Sequence, residues 1–175
     1  ETGKMAAKGQ VPVDYFPFAH DFALSSKYAI FFINSINMGP VGKVMLGSAS
    51  ISEGVHFDKS LPMTIALVDL DTMQEVRRIE TDPGAIVHFG NAFEEGDEVI
   101  VDAMHADQFD ANEALSDIFN AKALKGGEWR RYRINVATGA LSFEVMTDTN
   151  SEFPTFNQLK ACEKNELTFS AASVE

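Results

Sequence analysis

The sequence predicts an all-β fold made of short strands that are joined by tight turns. Apolar and polar residues alternate over many short stretches, which is the period expected of half-buried strands. Turn-forming residues follow most of these stretches, so that several of them pair as hairpins. Hydrophobic residues make up 45% of the chain and charged residues 23%, a balance typical of globular proteins. Repeated hairpins suit a β-propeller or a β-sandwich, and periodicity alone leaves both open.

The predicted strands follow one another along most of the chain. The first is the apolar run at residues 28–33, which ends at Asn34. The later strands are residues 63–69, 75–80, 85–88, 98–102, 129–134, 140–145 and 167–171. Turns at residues 71–72, 95–97 and 137–139 predict three hairpins among them.

Two segments differ from the strand pattern. Asp110 and Glu113 have the spacing of a capping box, and apolar residues at helical spacing follow them. We therefore expect one helical excursion at about residues 111–124, outside the sheets. Residues 41–58 are rich in Gly and Ser with scattered apolar residues, and they are predicted to form a loop.

Composition excludes several classes of function. The net charge of −12 repels polyanions, which argues against a nucleic-acid partner. Cys162 is the only cysteine, so an internal disulfide and a thiolate metal cluster are both excluded. Any metal would need histidine or carboxylate ligands. No apolar run approaches the roughly 20 residues of a membrane span, and the start at Glu1 without a signal-peptide pattern suggests an internal piece.

Three segments carry the most specific pattern in the chain. Residues 18–32 read FAHDFALSSKYAIFF, residues 87–95 read VHFGNAFEE, and residues 152–157 read EFPTFN. They resemble the His-Asp-Phe, His-x-x-Asn-Ala-aromatic-Glu-Glu and Glu-Phe-Pro motifs of the carotenoid oxygenase family, in the same order. That family includes plant carotenoid cleavage dioxygenases, bacterial lignostilbene dioxygenases and the vertebrate retinoid isomerohydrolase. The resemblance covers nearly the whole chain, although family members are considerably longer.

The resemblance implies a seven-bladed β-propeller, of which residues 1–175 would be a partial domain. In this family four histidines from different blades bind one Fe(II) on the propeller axis. The resemblance assigns His20 to the second ligand position and His88 to the third. It also gives Glu152 the role of accepting the N–H of a ligating imidazole. The other two ligands are expected outside the chain, so the piece alone should bind iron weakly and be inactive.

The function implied by the resemblance is a dioxygenase. It would cleave a conjugated C=C bond of a carotenoid, apocarotenoid or stilbene-like substrate with O2, giving two carbonyl products. Neutral imidazole is a good ligand for Fe(II), and its second ring nitrogen needs a partner that fixes the tautomer. A cytoplasmic or peripheral membrane location is expected, with peripheral membrane contact for uptake of the apolar substrate in the full-length protein.

The other histidines and acidic residues have simpler interpretations. His56 and His105 lie outside the motifs, and we expect a loop-surface residue and a turn residue respectively. Glu94 is expected to make structural hydrogen bonds, and Glu95 to lie in an exposed turn. Asn91 is expected to hold backbone near the ligand. Taken without the resemblance, His20 and His88 themselves would be ordinary hydrogen-bonded histidines.

Three other functions are considered beside the dioxygenase. A retinoid-isomerase-like enzyme would use iron without O2 insertion, and oxygen consumption would separate the two. A propeller acting as a binding or scaffold module without metal would contain no stoichiometric iron. A calcium-dependent hydrolase would need convergent carboxylates, and the sequence offers no matching set.

Overall fold

The computed structural model describes residues 3–39, 41–109, 126–147 and 149–172. The helix predicted at about residues 111–124 lies outside the described residues. The strands are β1 (Ala23–Leu24), β2 (Tyr28–Ile33), β3 (Ile36–Met38), β4 (Val55–Phe57), β5 (Met63–Asp69), β6 (Gln74–Thr81), β7 (Ala85–Glu95), β8 (Glu98–Ala106), β9 (Glu128–Asn135), β10 (Leu141–Val145), β11 (Ser151–Phe156) and β12 (Thr168–Ala172). The helices are α1 (Val41–Met45), α2 (Ile51–Gly54) and a 3-10 turn at Gln158–Lys160.

The described strands form two four-stranded antiparallel sheets and two strand pairs. The first sheet has the order β1-β2-β5-β6 and the second has the order β10-β9-β8-β7, so each follows the chain from one edge to the other. The β5 strand is buried on both faces, whereas β6 alternates between exposed and half-buried residues. The β8 strand is likewise buried, and β10 is largely exposed. Each sheet therefore has a buried middle and a solvent-facing outer edge.

The main core lies between the two four-stranded sheets. Phe32 on β2 contacts both Phe89 on β7 and Tyr132 on β9, with ring centroids 5.3 Å apart in each case. Ile65 and Leu67 on β5 are fully buried in the same cluster. Burial of these aromatic and branched side chains is the main force that holds the sheets together.

Strand β7 is the meeting point of three strand groups, because it borders the first sheet and the β11-β12 pair as well as belonging to the second sheet. The β7 strand packs against β1 of the first sheet and against β11 of the β11-β12 pair. All three candidate site residues lie on or beside these strands. His20 precedes β1, His88 is in β7 and Glu152 is in β11.

Each predicted strand is present, but two are longer than predicted: β7 continues seven residues past 88 to Glu95, and β8 continues four residues past 102 to Ala106. The three predicted hairpins are β5-β6, β7-β8 and β9-β10, and their turns are the ones read from the sequence. The prediction of a loop at residues 41–58 is wrong, because this segment contains α1, α2 and β4. A capping box between Ser50 and Glu53 starts α2 and explains the difference, since it supplies a partner for orphan backbone N–H groups.

Within the described ranges, no helix has the length and apolar character that a membrane crossing requires.

Candidate functional site

His20 and His88 lie side by side although 67 residues separate them along the chain (positions 21 to 87). Their ring centroids are 5.3 Å apart, and the ring planes are nearly perpendicular at 85°. The His20 side chain is exposed in this structure, and that of His88 is 27% exposed. The structure thus brings together the two histidines that the sequence motifs singled out.

Glu152 holds one nitrogen of the His88 ring. Its Oε2 atom is 2.9 Å from His88 Nδ1. A carboxylate can only accept a hydrogen bond, so Nδ1 carries the proton and donates it. In the neutral ring this leaves the Nε2 lone pair unprotonated and available to a metal. The arrangement is the one expected of a histidine that serves as a metal ligand.

An irregularity in β7 sets the direction of His88. Between the Ile86–His105 pair and the Phe89–Ala103 pair, β7 advances three residues while β8 advances two. The extra residue is a β-bulge, which turns the local side chains away from regular alternation. His88 lies in this bulge, and its ring contacts His20 and Phe153 instead of joining the core.

A second bulge aims Glu152. In β11, three steps from Glu152 to Thr155 match two steps on β12, from Ala171 to Phe169. Phe153 has a φ of 56°, in the left-handed region that non-glycine residues rarely adopt. This conformation lets the Phe153 N–H donate to Glu152 Oε2 at 3.2 Å. The Phe153 ring also packs on His88, with centroids 4.8 Å apart.

Gly90 lies at a place where β7 faces both β8 and β11. A Cβ atom at this position would lie 3.0 Å from Asp102 Cβ and 3.8 Å from Pro154 Cβ. The first distance is tighter than an ordinary contact and the second is ordinary, so a side chain here would crowd β8 first. The contact of Gly90 with β11 is at Pro154, two residues from Glu152.

The distance between the two imidazoles is compatible with one metal ion between them. Bonds between a metal and a histidine nitrogen are about 2 Å long, so two rings on one ion have centroids about 5 Å apart. No hydrogen bond joins the His20 ring to another described residue, which leaves its nitrogens available. In the described part of the chain, no group of three or more His, Cys, Asp or Glu side chains could hold a metal. The chain therefore offers two imidazoles, one of them already oriented by a carboxylate.

The prediction that His105 is a turn residue is wrong. It lies in β8 and is only 4% exposed. Its Nδ1 accepts a hydrogen bond from the Tyr132 hydroxyl at 2.9 Å, and its Nε2 lies 3.2 Å from Asp107 Oδ1. Burial, with the neighbouring Arg130 charge, lowers the pKa of His105 to about 4. It is a neutral structural histidine, because other side chains engage both of its ring nitrogens.

The expectations for Glu94 and Asn91 agree with the structure except in one detail. Glu94 accepts hydrogen bonds from Ser25, Ser26 and the Lys27 N–H, and these contacts lower the pKa of its carboxyl group against the effect of burial. Asn91 holds backbone, as expected, but that of residues 160–163 in the loop between β11 and β12.

Two more of these expectations concern exposed positions. Glu95 differs from the expected exposed turn residue, because it is the half-buried last residue of β7, beside the turn at Gly96, and pairs with Arg133 and Lys164. His56 has an exposed side chain but lies in strand β4 instead of a loop.

The chain is similar to known proteins over most of its length. The family model described as RPE65, retinal pigment epithelial membrane protein, matches residues 1–175. Apocarotenoid-15,15'-oxygenase from Synechocystis sp. is 29% identical over 154 residues, which cover 87% of this chain and 31% of the relative.

Solved structures give the same result. The crystal structure of cobalt-substituted Synechocystis apocarotenoid oxygenase (ACO) has a TM-score of 0.78 and 27% identity to this chain. The match covers 91% of this chain and 33% of that one. An ACO/RPE65 chimera has a TM-score of 0.77 and 25% identity, covering 92% of this chain and 34% of the chimera. The chain thus spans about a third of the length of these relatives. The prediction of an all-β fold that is part of a seven-bladed β-propeller is confirmed. The chain belongs to the RPE65 family of carotenoid oxygenases.

Proposed function

We propose that this chain is part of an Fe(II)-dependent dioxygenase that cleaves a conjugated C=C bond with O2. The substrate would be a carotenoid, an apocarotenoid or a stilbene-like alkene, and the products two carbonyl compounds. The observation that carries the proposal is the contact between the His20 and His88 rings, with Glu152 bonded to the second. An apocarotenoid oxygenase among the relatives supports the reaction class.

In this proposal His20 and His88 bind the iron, and the other ligands belong to parts of the propeller domain that residues 1–175 do not include. Bound iron would supply the activation of O2 beside the electron-rich double bond. The chain's own residues orient the site. Glu152 keeps the proton on His88 Nδ1, and the Phe153 ring limits rotation of the imidazole. Residues 1–175 alone should bind Fe(II) weakly and show no turnover.

Exposed aromatic surface beside the histidines favours an apolar substrate. The Phe153 ring contacts His88 and is 65% exposed. Phe22, two residues after His20, stacks on Phe31 with centroids 5.2 Å apart and is also exposed. Aromatic faces of this kind bind extended conjugated chains and exclude water from them. In this proposal the Phe153 ring contacts the polyene beside His88, and Phe22 adds exposed aromatic surface two residues from His20.

The decisive experiment uses the full-length protein, loaded with Fe(II) without air and then supplied with O2. Separate reactions receive an apocarotenal, a hydroxystilbene and a retinyl ester. We expect one O2 consumed per alkene cleaved, with two carbonyl products identified by mass. H20A and H88A should abolish turnover, while H56A, which changes an exposed histidine away from the site, should not.

Two outcomes would contradict the proposal and point to the alternatives. Isomerisation of the retinyl ester without O2 uptake would indicate an isomerase-like member of the family. Absence of stoichiometric iron after loading would indicate a binding or scaffold module.

We also propose that α1 and α2 make peripheral contact with a lipid surface through which an apolar substrate reaches the protein. Val41, Met45, Leu46 and Ile51 on and beside these short helices are all exposed, and α1 packs against α2, so the four lie in one region. Apolar residues on short surface helices insert into the headgroup region of a bilayer. The net charge of −12 opposes binding to anionic lipids, so the proposed surface is a neutral one.

Vesicle sedimentation tests the membrane proposal. Full-length protein should sediment with phosphatidylcholine vesicles, and L46E should remain in the supernatant. L159E is the matched control, because Leu159 is 90% exposed but lies in the turn between β11 and β12. Equal sedimentation of L46E and L159E, or no sedimentation of the wild type, would rule out the proposed surface.

A further inference from the structure

Asn34 connects the chain segments that carry the two histidines. It follows β2 directly and is fully buried. Its Nδ2 donates to the carbonyl of Phe18 at 3.2 Å and to the carbonyl of Ile86 at 2.9 Å. Its Oδ1 accepts from the Ile86 N–H at 2.8 Å. Phe18 is two residues before His20, and Ile86 is two residues before His88.

The hydrogen bonds of Asn34 leave little choice of residue at this position. The side-chain amide has two N–H donors and one carbonyl oxygen, and all three are used. The partners fix which atom is nitrogen, because carbonyls can only accept and the Ile86 N–H can only donate. Towards Ile86 the amide acts like the backbone of a neighbouring strand, since it pairs with both the N–H and the C=O. Asp would lose both donors, and Ser could replace only part of the set.

Each segment needs such a support for a different reason. Ile86 is the last regularly paired residue of β7 before the bulge that holds His88. Phe18 has a φ of 34°, in the left-handed region, and it lies in a segment without strand partners. Its ring packs on Phe109, with centroids 4.9 Å apart. Phe18 also packs against a buried cluster that includes Ala85 of β7, and the Asn34 amide adds a direct hydrogen-bonded connection from the Phe18 carbonyl to Ile86.

We infer that Asn34 is a positioning residue that sets the distance between the His20 and His88 imidazoles. It acts through the backbone of Phe18 and Ile86 and touches neither ring. The consequence for metal binding rests on the proposed function, whereas the effect on the ring distance does not. The nearest signal in the sequence is a polar residue directly after an apolar run, which also marks many ordinary strand ends.

The test compares N34D and N34S with R77Q in the full-length protein. Arg77 is the matched control, because its side chain also donates to two backbone carbonyls across the same two sheets. Its partners are Val136 and Ala137, in and beside the β9-β10 turn. R77Q therefore removes a comparable connection between the sheets away from the histidines. Thermal unfolding of each metal-free variant shows how much overall stability is lost.

The first measurement needs no metal. In protein with isotope-labelled histidine rings, nuclear Overhauser contacts between His20 and His88 should be present in the wild type, because the centroids are 5.3 Å apart. They should be lost in N34D and N34S and kept in R77Q. Contacts of wild-type strength in folded N34D or N34S would overturn the inference.

The second measurement is the affinity for Co(II), the metal in a crystallised relative. Both Asn34 variants should bind Co(II) at least about tenfold more weakly than the wild type, in line with other residues that support metal ligands. R77Q should bind with wild-type affinity. An equal loss of Co(II) affinity in N34S and R77Q would show that Asn34 has a merely structural role. A wild type that keeps its ring contacts but binds no Co(II) would instead reject the proposed function and leave the positioning role intact.

A measurement on the wild type decides the matter if neither Asn34 variant folds. Coupling between two sites is reciprocal, so a metal held through this connection must in turn stabilise it. Hydrogen exchange of the Ile86 amide should slow when Co(II) is added. The Asn135 amide, which donates to Ala140 in the β9-β10 turn, is the reference. An Ile86 amide that slows no more than that of Asn135 would contradict the inference.

Discussion

Replacing Glu152 with glutamine tests how this carboxylate acts on His88. Gln has the same length, and its side-chain oxygen can still accept the His88 Nδ1–H, so the geometry is kept while the charge is removed. The two side chains are 2.9 Å apart and each is 27% exposed. Solvent therefore screens part of the electrostatic attraction between them. A charged hydrogen bond contributes about 1.5–3 kcal/mol. The free energy lost when the Glu152 charge is removed should lie at the low end of this range.

These values predict the change in metal affinity. Residues that hold a metal-ligating histidine typically change affinity by about 10- to 100-fold. We expect E152Q to bind Co(II) about 10-fold more weakly, about 1.4 kcal/mol, because only the charge is lost. E152A also loses the hydrogen bond and the fixed tautomer, and it should approach 100-fold, about 2.7 kcal/mol. Added salt should reduce the difference between E152Q and wild type.

The assay is Co(II) titration of full-length metal-free protein, followed by visible absorption. E163Q is the control, because Glu163 is an exposed carboxylate in the same β11-β12 connection and pairs with Lys160. In an H88A background, E152Q should have no further effect, since its partner is gone. Wild-type affinity in E152Q, or an equal loss in E163Q, would refute the idea that Glu152 acts through His88.

Three further predictions concern the stability of the full-length protein in urea unfolding. In the unfolded chain His105 takes up a proton near pH 6.5, whereas in the folded protein it does so only near pH 4. The free energy of unfolding should therefore fall by up to about 3 kcal/mol as the pH drops from 6.5 to 4, and H105Q should lose this pH dependence. D102N breaks the paired hydrogen bonds from Arg131 to a fully buried carboxylate and should lower the free energy of unfolding by about 3 kcal/mol. The control D71N, at an exposed position, should leave it almost unchanged. G84A places a Cβ atom 2.2 Å from His105 Cε1 and should lower the free energy of unfolding by at least about 2 kcal/mol more than D71N does. Wild-type stability in G84A would contradict this packing.

Much of the fold could be predicted because its strands are regular. The β5 strand is mostly apolar, β6 alternates, and a short polar turn separates them, so local pattern and tertiary structure agree. The hairpin turns at Gly96 and Gly139 use left-handed glycines, which the sequence also indicates. The β11 strand could not be read in this way, because Pro154 argues against a strand and a bulge interrupts it.

The candidate site depends on features that no local pattern contains. The motifs suggested His20, His88 and Glu152 by resemblance, but periodicity gave no reason for His20 and His88 to be neighbours. Two bulges and the Asn34 amide bring these groups together, and each depends on contacts between distant segments. The error at His105 has a similar cause, because the residues after it suggest a turn while its burial comes from pairing with β9.

The most direct test of the account is an anomalous diffraction map, recorded at the iron absorption edge from crystals of the full-length protein grown with Fe(II). The account predicts one peak at bonding distance, about 2 Å, from a ring nitrogen of both His20 and His88. Glu152 should remain on the Nδ1 atom of His88. A peak bound by other side chains, or rings of His20 and His88 that turn away from a shared centre, would contradict it.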